Sequence, residues 1–362
     1  MKTSASSAIR KVALGMSGGV DSSLAAHFLV EQGYEVTGIY LECWRAPGCR
    51  SEEDRKDALQ VALQLGIPFK VLDFKQAYKD RVVEYFFDEY KAGRTPNPDV
   101  MCNKEIKFGM FYDWAMEQGF DAIATGHYAQ TDHHYLIAST DEWKDQTYFL
   151  YRLEKAQLEH ILFPIGHLTK KNVRIEAKKR QLIVADKKDS VGICFIGDIN
   201  VHEFLKERLG ENPGDVVNVK REIIGQHKGL WFYTVGQRHG FTIFPKRVEQ
   251  LADGTTIDKH NIPPFYVIHK DAATNQLVVG FGQETTTKTF RVQDVHWITE
   301  PTANKELFVR IRHTGQLHKA ELKSGQVTLE TPQAGVAEGQ SAVFYQRQND
   351  ELLCLGGGII TF

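Results

Sequence analysis

Residues 15–23 read Gly-Met-Ser-Gly-Gly-Val-Asp-Ser-Ser, set between a short apolar run, Lys11–Met16, and Ser22–Gln32, where Ala25, Phe28 and Leu29 recur at helical spacing. Strand, glycine turn and helix in that order begin a β-α unit, and the pattern repeats. Tyr34–Leu41 reads as a strand, Glu52–Leu65 as a helix with Ala58, Val61, Ala62 and Leu65 on one face, and Pro68–Asp73 as a strand. Gln76–Lys91 and Asn103–Gln118 read as helices and Phe120–Thr125 as another strand. Such alternation implies an α/β domain with a doubly wound parallel sheet. The glycine loop then lies where open parallel sheets take their ligands, just beyond the carboxyl ends of the strands.

Past about Gly210 the period changes. Phe265–His269, Gln276–Val279, Phe308–Arg312, Val327–Glu330 and Ala342–Tyr345 are short strand-like runs separated by Gly, Pro, Asn and Asp. That half is expected to be β-rich and barrel-like. Between the halves, Thr169–Lys188 carries Lys or Arg at 170, 171, 174, 178, 179, 180, 187 and 188 against Glu176 and Asp186. A run like this is by default a solvated helix face. Its charge imbalance beside a cysteine motif favours contact with a phosphate backbone.

Composition narrows the classes. The 362 residues suffice for two or three domains, and 42% hydrophobic with 25% charged is ordinary for a globular chain. A net charge of −2 means that any basic binding surface is local. No apolar run is long enough for a membrane span. Met1–Lys11, rich in Ser and Ala, reads as a frayed cytoplasmic N-terminus rather than a transit segment. The five cysteines (43, 49, 102, 194 and 354) are odd in number, scattered and without a Cys-x-x-Cys pair, which argues against a disulfide framework and a zinc ribbon; no metal site is assigned.

In the glycine loop, Gly18 and Gly19 let backbone N–H groups approach a phosphate at the positive end of a helix. Ser17, Ser22 and Ser23 add hydroxyls, and Asp21 is placed to hold Mg²⁺ against phosphate oxygens. Without a Gly-Lys-Ser/Thr ending this is not a Walker A loop. It resembles the Ser-Gly-Gly-x-Asp-Ser signature of the PP-loop ATP pyrophosphatases, which cleave ATP between the α- and β-phosphates.

Gly93-Arg-Thr-Pro-Asn-Pro-Asp99 is a proline-stiffened loop feeding a helix near Asn103. Cys102, at that helix start with Lys104 and Lys107 nearby, is expected to favour the thiolate, and Asp99 is placed to move a proton. Lys187–Gly197 sets Cys194 in a similar basic, glycine-flexed context. Cys43, Cys49 and Cys354 read as small buried hydrophobes.

These segments resemble, in order along nearly the whole chain, the tRNA-specific 2-thiouridylases. The resemblance rests on the loop 15–23, Gly93–Asp99 with Cys102-Asn-Lys-Glu-Ile-Lys-Phe, Ala124-Thr-Gly-His-Tyr128 and Lys144-Asp-Gln146. It rests also on Asp189-Ser-x-Gly-Ile-Cys-Phe-Ile-Gly197, Tyr233-Thr-x-Gly-Gln-Arg238, Gly339–Tyr345 and Leu355–Ile359. It implies a catalytic domain (1–205, its basic segment 166–188 packing on the next domain), a small central domain (206–278) and a C-terminal β-barrel (279–362). The implied reaction is ATP-dependent 2-thiolation of the wobble uridine of Lys, Glu and Gln tRNAs in the cytoplasm. ATP would meet Gly15, Met16, Ser17, Gly18, Gly19, Val20, Asp21, Ser22, Leu41 and Gly126. Cys194 would bear a persulfide, Cys102 would be the second thiol, with a Cys102–Cys194 disulfide formed in turnover, and Asp99 would be the acid/base. Asn97, Pro98, Asp99, His127, Lys144, Asp145, Gln146, Arg312, His313 and Gln340 would touch tRNA. The implied partner is a persulfide donor, a cysteine desulfurase or sulfur-relay protein.

Two departures stand out: Phe241–Asn261 replaces a glycine-rich loop of the family, and Val191 replaces a Thr. An amidating PP-loop synthetase would keep the ATP loop without needing both cysteines. A nucleic-acid-binding module would not need the ATP loop.

Overall fold

The computed structural model describes residues 9–45, 50–189, 200–244 and 264–362. Cys49, Cys194 and most of the atypical 241–261 segment therefore lie outside the described residues.

The first sheet takes the order β3-β2-β1-β4-β7, all parallel, from β1 (Lys11–Gly15), β2 (Glu35–Glu42), β3 (Phe69–Asp73), β4 (Ala122–Thr125) and the short β7 (Ile161–Leu162). Alternation along β1 sends its side chains to two separate cores. Val12 and Leu14 pack with α1 (Val20–Glu31), α2 (Ser51–Leu65) and α7 (Lys170–Lys179) through Leu24, Val61 and Val173. Ala13, on the other face, joins Ile39, Phe86, Ile106 and Phe111. Helices on both faces make the sheet doubly wound, as expected from the sequence.

The second face is built by two long helical runs. In one, α3 (Lys75–Tyr78) passes through a π turn, Lys79–Val83, into α4 (Glu84–Lys91). In the other, α5 (Pro98–Met101) widens into the π segment Cys102–Met110 before α6 (Phe111–Glu117). The second run begins five residues earlier than its periodicity suggested. Asn97 caps it by accepting from Val100 N (3.3 Å), and Pro98 takes the first position, where no N–H is needed.

After α8 (Val201–Leu209), the second sheet has the order β10-β9-β8-β12-β11, from β8 (Gly214–Val217), β9 (Ile223–His227), β10 (Thr242–Ile243), β11 (Tyr266–Asp271) and β12 (Gln276–Gly280). The third closes on itself as β13-β16-β15-β14-β17-β18, returning to β13. Its strands are β13 (Thr286–Trp297), β14 (Leu307–Arg310), β15 (His318–Lys323), β16 (Gln326–Ala334), β17 (Ser341–Gln348) and β18 (Glu351–Thr361). A closed barrel leaves no edge to template aggregation.

One pairing joins the parallel-sheet domain to the barrel. A hairpin from the catalytic half, β5 (Ala129–Thr131) and β6 (Leu136–Ala138), pairs with β18, Leu353 opposite Ile137 and Cys354 opposite Leu136. The buried Tyr148 hydroxyl donates to Ser341 O (2.9 Å) across the same seam. The barrel and the parallel-sheet domain thus share backbone pairing as well as packing.

Candidate active site

The loop after β1 is held by its own residues. Met16 N donates to Ile39 O (2.8 Å), Ser17 N to Ser22 Oγ (3.2 Å), and Ser23 Oγ to Gly19 O (2.8 Å). Ser23 is fully buried, so its hydroxyl closes the helix start, whereas Ser17 is exposed and available. Gly18 has φ +74°, and a Cβ there would stand 2.1 Å from Asp54 O, so only glycine fits beneath the start of α2. A Cβ at Gly126 would meet Ser22 N at 2.6 Å, so β4 leads straight onto the first turn of α1. Leu41, buried on β2, and Val20 complete this carboxyl edge.

Asp21 is the charged centre. Lys170 Nζ reaches both its oxygens at 2.8 Å, and Tyr128 Oη donates to Oδ1 at 2.7 Å. Lys170 also pairs with Asp189 (2.8 Å), which Lys144 (3.0 Å) and Arg174 (2.6 Å) share. Burial pushes the Asp189 carboxyl up, but bonds from Lys170 and Lys144 win and hold it at about 2. Lys187 Nζ donates to Gly18 O (3.0 Å) and Asp54 (2.7 Å) and also pairs with Asp57.

The basic run therefore divides, which corrects its reading as one phosphate-binding face. Lys170 and Lys187 turn inward to the loop, Arg174 pairs with Asp189 and donates to Ala185 O and Lys187 O, Arg180 pairs with Glu31 and Glu176, and Lys178 pairs with Asp186. Lys171, Lys179 and Lys188 remain exposed. Sequence reasoning missed Lys170 and Lys187 as loop partners, because opposite charges on remote segments carry no periodic signal.

The Gly93–Asp99 loop is gripped from both β domains. Thr95 N donates to Glu338 O (2.9 Å), and Gln340 Nε2 donates to Thr95 O (2.9 Å) and Pro96 O (3.1 Å). From β11, Lys270 Nζ donates to Thr95 Oγ1 (3.3 Å) and Tyr233 O (3.0 Å). Asp99 lies in the first turn of α5, where Asn103 Nδ2 donates to its carbonyl (3.0 Å). Because that helix starts at Pro98, Cys102 sits a full turn inside it and is fully buried, not at its exposed N-terminus. Lys104 pairs with Glu105 (3.2 Å) and Lys107 approaches His127 (3.4 Å).

Other expected contacts are also interior. His127 is buried, with Nδ1 on Thr125 Oγ1 (2.8 Å) and its ring beside Phe108; burial, then Lys107, holds its pKa well below the usual value, so it stays neutral. Asp145 is 2% exposed and is consumed by Arg310, Thr147 and Ser139 N, which leaves it no face toward a polynucleotide. Gln146 Oε1 accepts from Tyr128 N (2.9 Å). The His313 ring lies 4.2 Å from that of Phe149, tilted by 37°, and burial pulls its pKa to about 4. Lys144 and Arg312 do reach solvent. Cys43, Cys102 and Cys354 are all buried, and burial pushes the Cys354 thiol far up. Among the described residues no group of three or more His, Cys, Asp or Glu could hold a metal ion, and no helix is long and apolar enough to cross a membrane.

Residues 10–198 match the family model described as "tRNA methyl transferase HUP domain", 202–281 its PRC-barrel domain, and 287–360 an aminomethyltransferase β-barrel domain. These three matches, in this order along the chain, place it among the tRNA-modifying enzymes. The tRNA-specific 2-thiouridylase MnmA of Listeria monocytogenes is 43% identical over 97% of this chain and 94% of that protein. That of Enterococcus faecalis is 43% identical over 97% and 95%. The chain belongs to the tRNA-specific 2-thiouridylase family, whose members are tRNA sulfurtransferases. Among solved structures, a 4-thiouridine synthetase–RNA complex with bound ATP is similar over 55% of this chain and 50% of that one, at 18% identity and a TM-score of 0.36.

Proposed function

We propose that this enzyme uses ATP to adenylate O2 of the wobble uridine in Lys, Glu and Gln tRNAs and replaces that oxygen with sulfur through Cys194 and Cys102. The supporting observation is the convergence at one sheet edge. Ser17–Ser22, Leu41 and Gly126 meet there, and the helix bearing Asp99 and Cys102 joins the same edge through the Lys107–His127 contact.

Uridine O2 is a poor leaving group. Its attack on the α-phosphate breaks the bond to the β-phosphate and releases pyrophosphate, so the oxygen later departs as AMP. The N–H groups of Gly18 to Val20, at the start of α1, would stabilise the departing pyrophosphate, with Lys170 and Lys187 lowering the local negative charge. Asp21, whose oxygens accept from Lys170 and Tyr128, would have to exchange the Lys170 contact to give Mg²⁺ a carboxylate ligand, and the ion would supply further charge neutralisation at the phosphates. The terminal sulfur of a persulfide on Cys194, charged by a cysteine desulfurase or sulfur-relay protein, forms the bond to C2. Attack of the Cys102 thiolate on the inner sulfur breaks the S–S bond and leaves a Cys102–Cys194 disulfide, which an external thiol reduces. Asp99 would move the accompanying proton. Asn97 and Pro98 would face the base, with Lys144, Gln146, Arg312, His313 and Gln340 lining the approach. His127 and Asp145, being interior, would support that surface rather than touch RNA.

The test is mass spectrometry of tRNA nucleosides after incubation with ATP and a persulfide donor, read beside nucleotide products. Thiouridine with AMP and pyrophosphate is expected. Cys102→Ser and Cys194→Ser should each abolish thiolation and keep pyrophosphate release. ADP and phosphate as products, or near-normal thiolation by either variant, would overturn the reading.

A further inference from the structure

We propose that Trp143 is a stacking platform for an unpaired base of the RNA substrate, at the rim of the nucleotide site; this rests on the reading of the chain as a tRNA thiolase. Trp143 is 81% exposed, where a tryptophan normally buries most of its large apolar face. No other exposed large hydrophobic among the described residues shows so much of itself, the next being Leu63 at 70%.

The side chain stands on a fixed turn. Asp141 Oδ1 accepts from Trp143 N and Lys144 N, both at 3.2 Å, and its Oδ2 accepts from Lys170 N at 2.8 Å. Ser139 Oγ donates to Asp141 O at 2.8 Å. At the other end the buried Asp145 is locked by Arg310. Both feet of the turn are thus tied to α7 and to the barrel, so the indole is held out at little further entropic cost on binding.

Its position gives the occupant. Lys144, the next residue, pairs with Asp189, which Lys170 joins to Asp21 in the glycine loop. The indole therefore sits a short chain of ion pairs from the phosphate site. Its sequence neighbours are Glu142, exposed, and Lys144, partly exposed, so a lone ring stands between charges rather than within an apolar stretch. That arrangement suits a nucleobase, which needs one π face and a cation for its phosphate, better than a protein partner, which needs contiguous apolar area.

The experiment measures tRNA affinity and thiolation for wild type, W143A, W143F and K144A across a salt series. Stacking on one base predicts that W143A weakens tRNA binding by roughly 5- to 150-fold, raises KM for tRNA and leaves ATP affinity alone. Its slope of log affinity against log salt should match wild type, because no phosphate contact is lost, while K144A should reduce that slope. W143F should recover most of the loss, and its exposed position makes misfolding of W143A unexpected. Wild-type tRNA affinity in W143A, or no recovery in W143F, would overturn the proposal. So would a loss seen only with a protein persulfide donor and not with a small-molecule persulfide, which would make the ring a protein-docking point. If wild type itself thiolates no tRNA, the underlying functional reading fails instead.

Discussion

Lys170 bonds both oxygens of the Asp21 carboxylate, 2.8 Å to each, although 149 residues separate them. The glycine loop proposed to meet phosphate is thereby tied to the first turn of a helix far along the chain. Lys170→Met should release Asp21 and remove a cation from the loop, lowering the rate of pyrophosphate release by roughly 10- to 100-fold. Lys170→Arg should retain part of it, and tRNA affinity should change little. Unaltered pyrophosphate release in Lys170→Met would remove this residue from the nucleotide step.

Gly339 tests how closely the Gly93–Asp99 loop must be held. Its φ is +88°, and a Cβ would lie 2.9 Å from Arg94 Cβ and from Thr95 N. Gly339→Ala should push the loop off the barrel and lower kcat/KM for tRNA at least about 10-fold, with ATP affinity unchanged. Equilibrium ATP binding measured beside steady-state thiolation separates the two.

Lys270 gives a pH dependence with a defined sign. Burial pulls its ammonium down to about 7, against Glu338, which pushes it up. Between about 7 and the ordinary lysine value near 10.5 the unfolded chain binds the extra proton, so this group's contribution to stability rises with pH. Unfolding free energies of wild type minus those of Lys270→Met, from denaturant melts, should grow from pH 6.5 to 9.5, by at most about 1.4 kcal/mol per pH unit. A flat difference would mean that Lys270 keeps its proton throughout.

Arg310 and Asp145 form a buried pair across the seam between barrel and nucleotide domain, and Arg310 Nε has no partner among the described residues. Arg310→Met would strand a buried carboxylate, costing about 3–5 kcal/mol. The double variant with Asp145→Leu should recover much of that, because no charge is left behind. Urea melts of the three proteins decide it.

The exposed lysines should carry the salt dependence of tRNA binding. Replacing Lys171, Lys179 and Lys188 together with Ala should flatten the slope of log affinity against log salt by about 2. Replacing Lys178 and Arg180, which are engaged with Asp186, Glu31 and Glu176, should alter it much less.

The sequence by itself determined the β-α alternation, the glycine loop beyond the first strand and the shift to short strands in the C-terminal half. Those features live in local periods of 2 and 3.6 and in glycines that a turn requires, so neighbouring residues suffice to declare them. The order of long motifs likewise carried the family. The sequence reading misplaces the start of the Cys102 helix at Asn103, because it takes the prolines as stiffening a loop, whereas Asn97-Pro98 is a cap and first-turn pair.

Only the tertiary structure decided which charges serve which neighbour. The run at 170–188 looked like one basic face until Asp21, Asp54 and Asp57 drew Lys170 and Lys187 inward. Asp145 and His127 looked like surface contacts until β17, β18 and the π segment covered them. The β5–β6 hairpin showed no strong pattern of its own, because three-residue strands gain their stability from pairing with the long β18 rather than from propensity. Pairing across more than a hundred residues depends on which surfaces meet after collapse, and no window of sequence contains both partners.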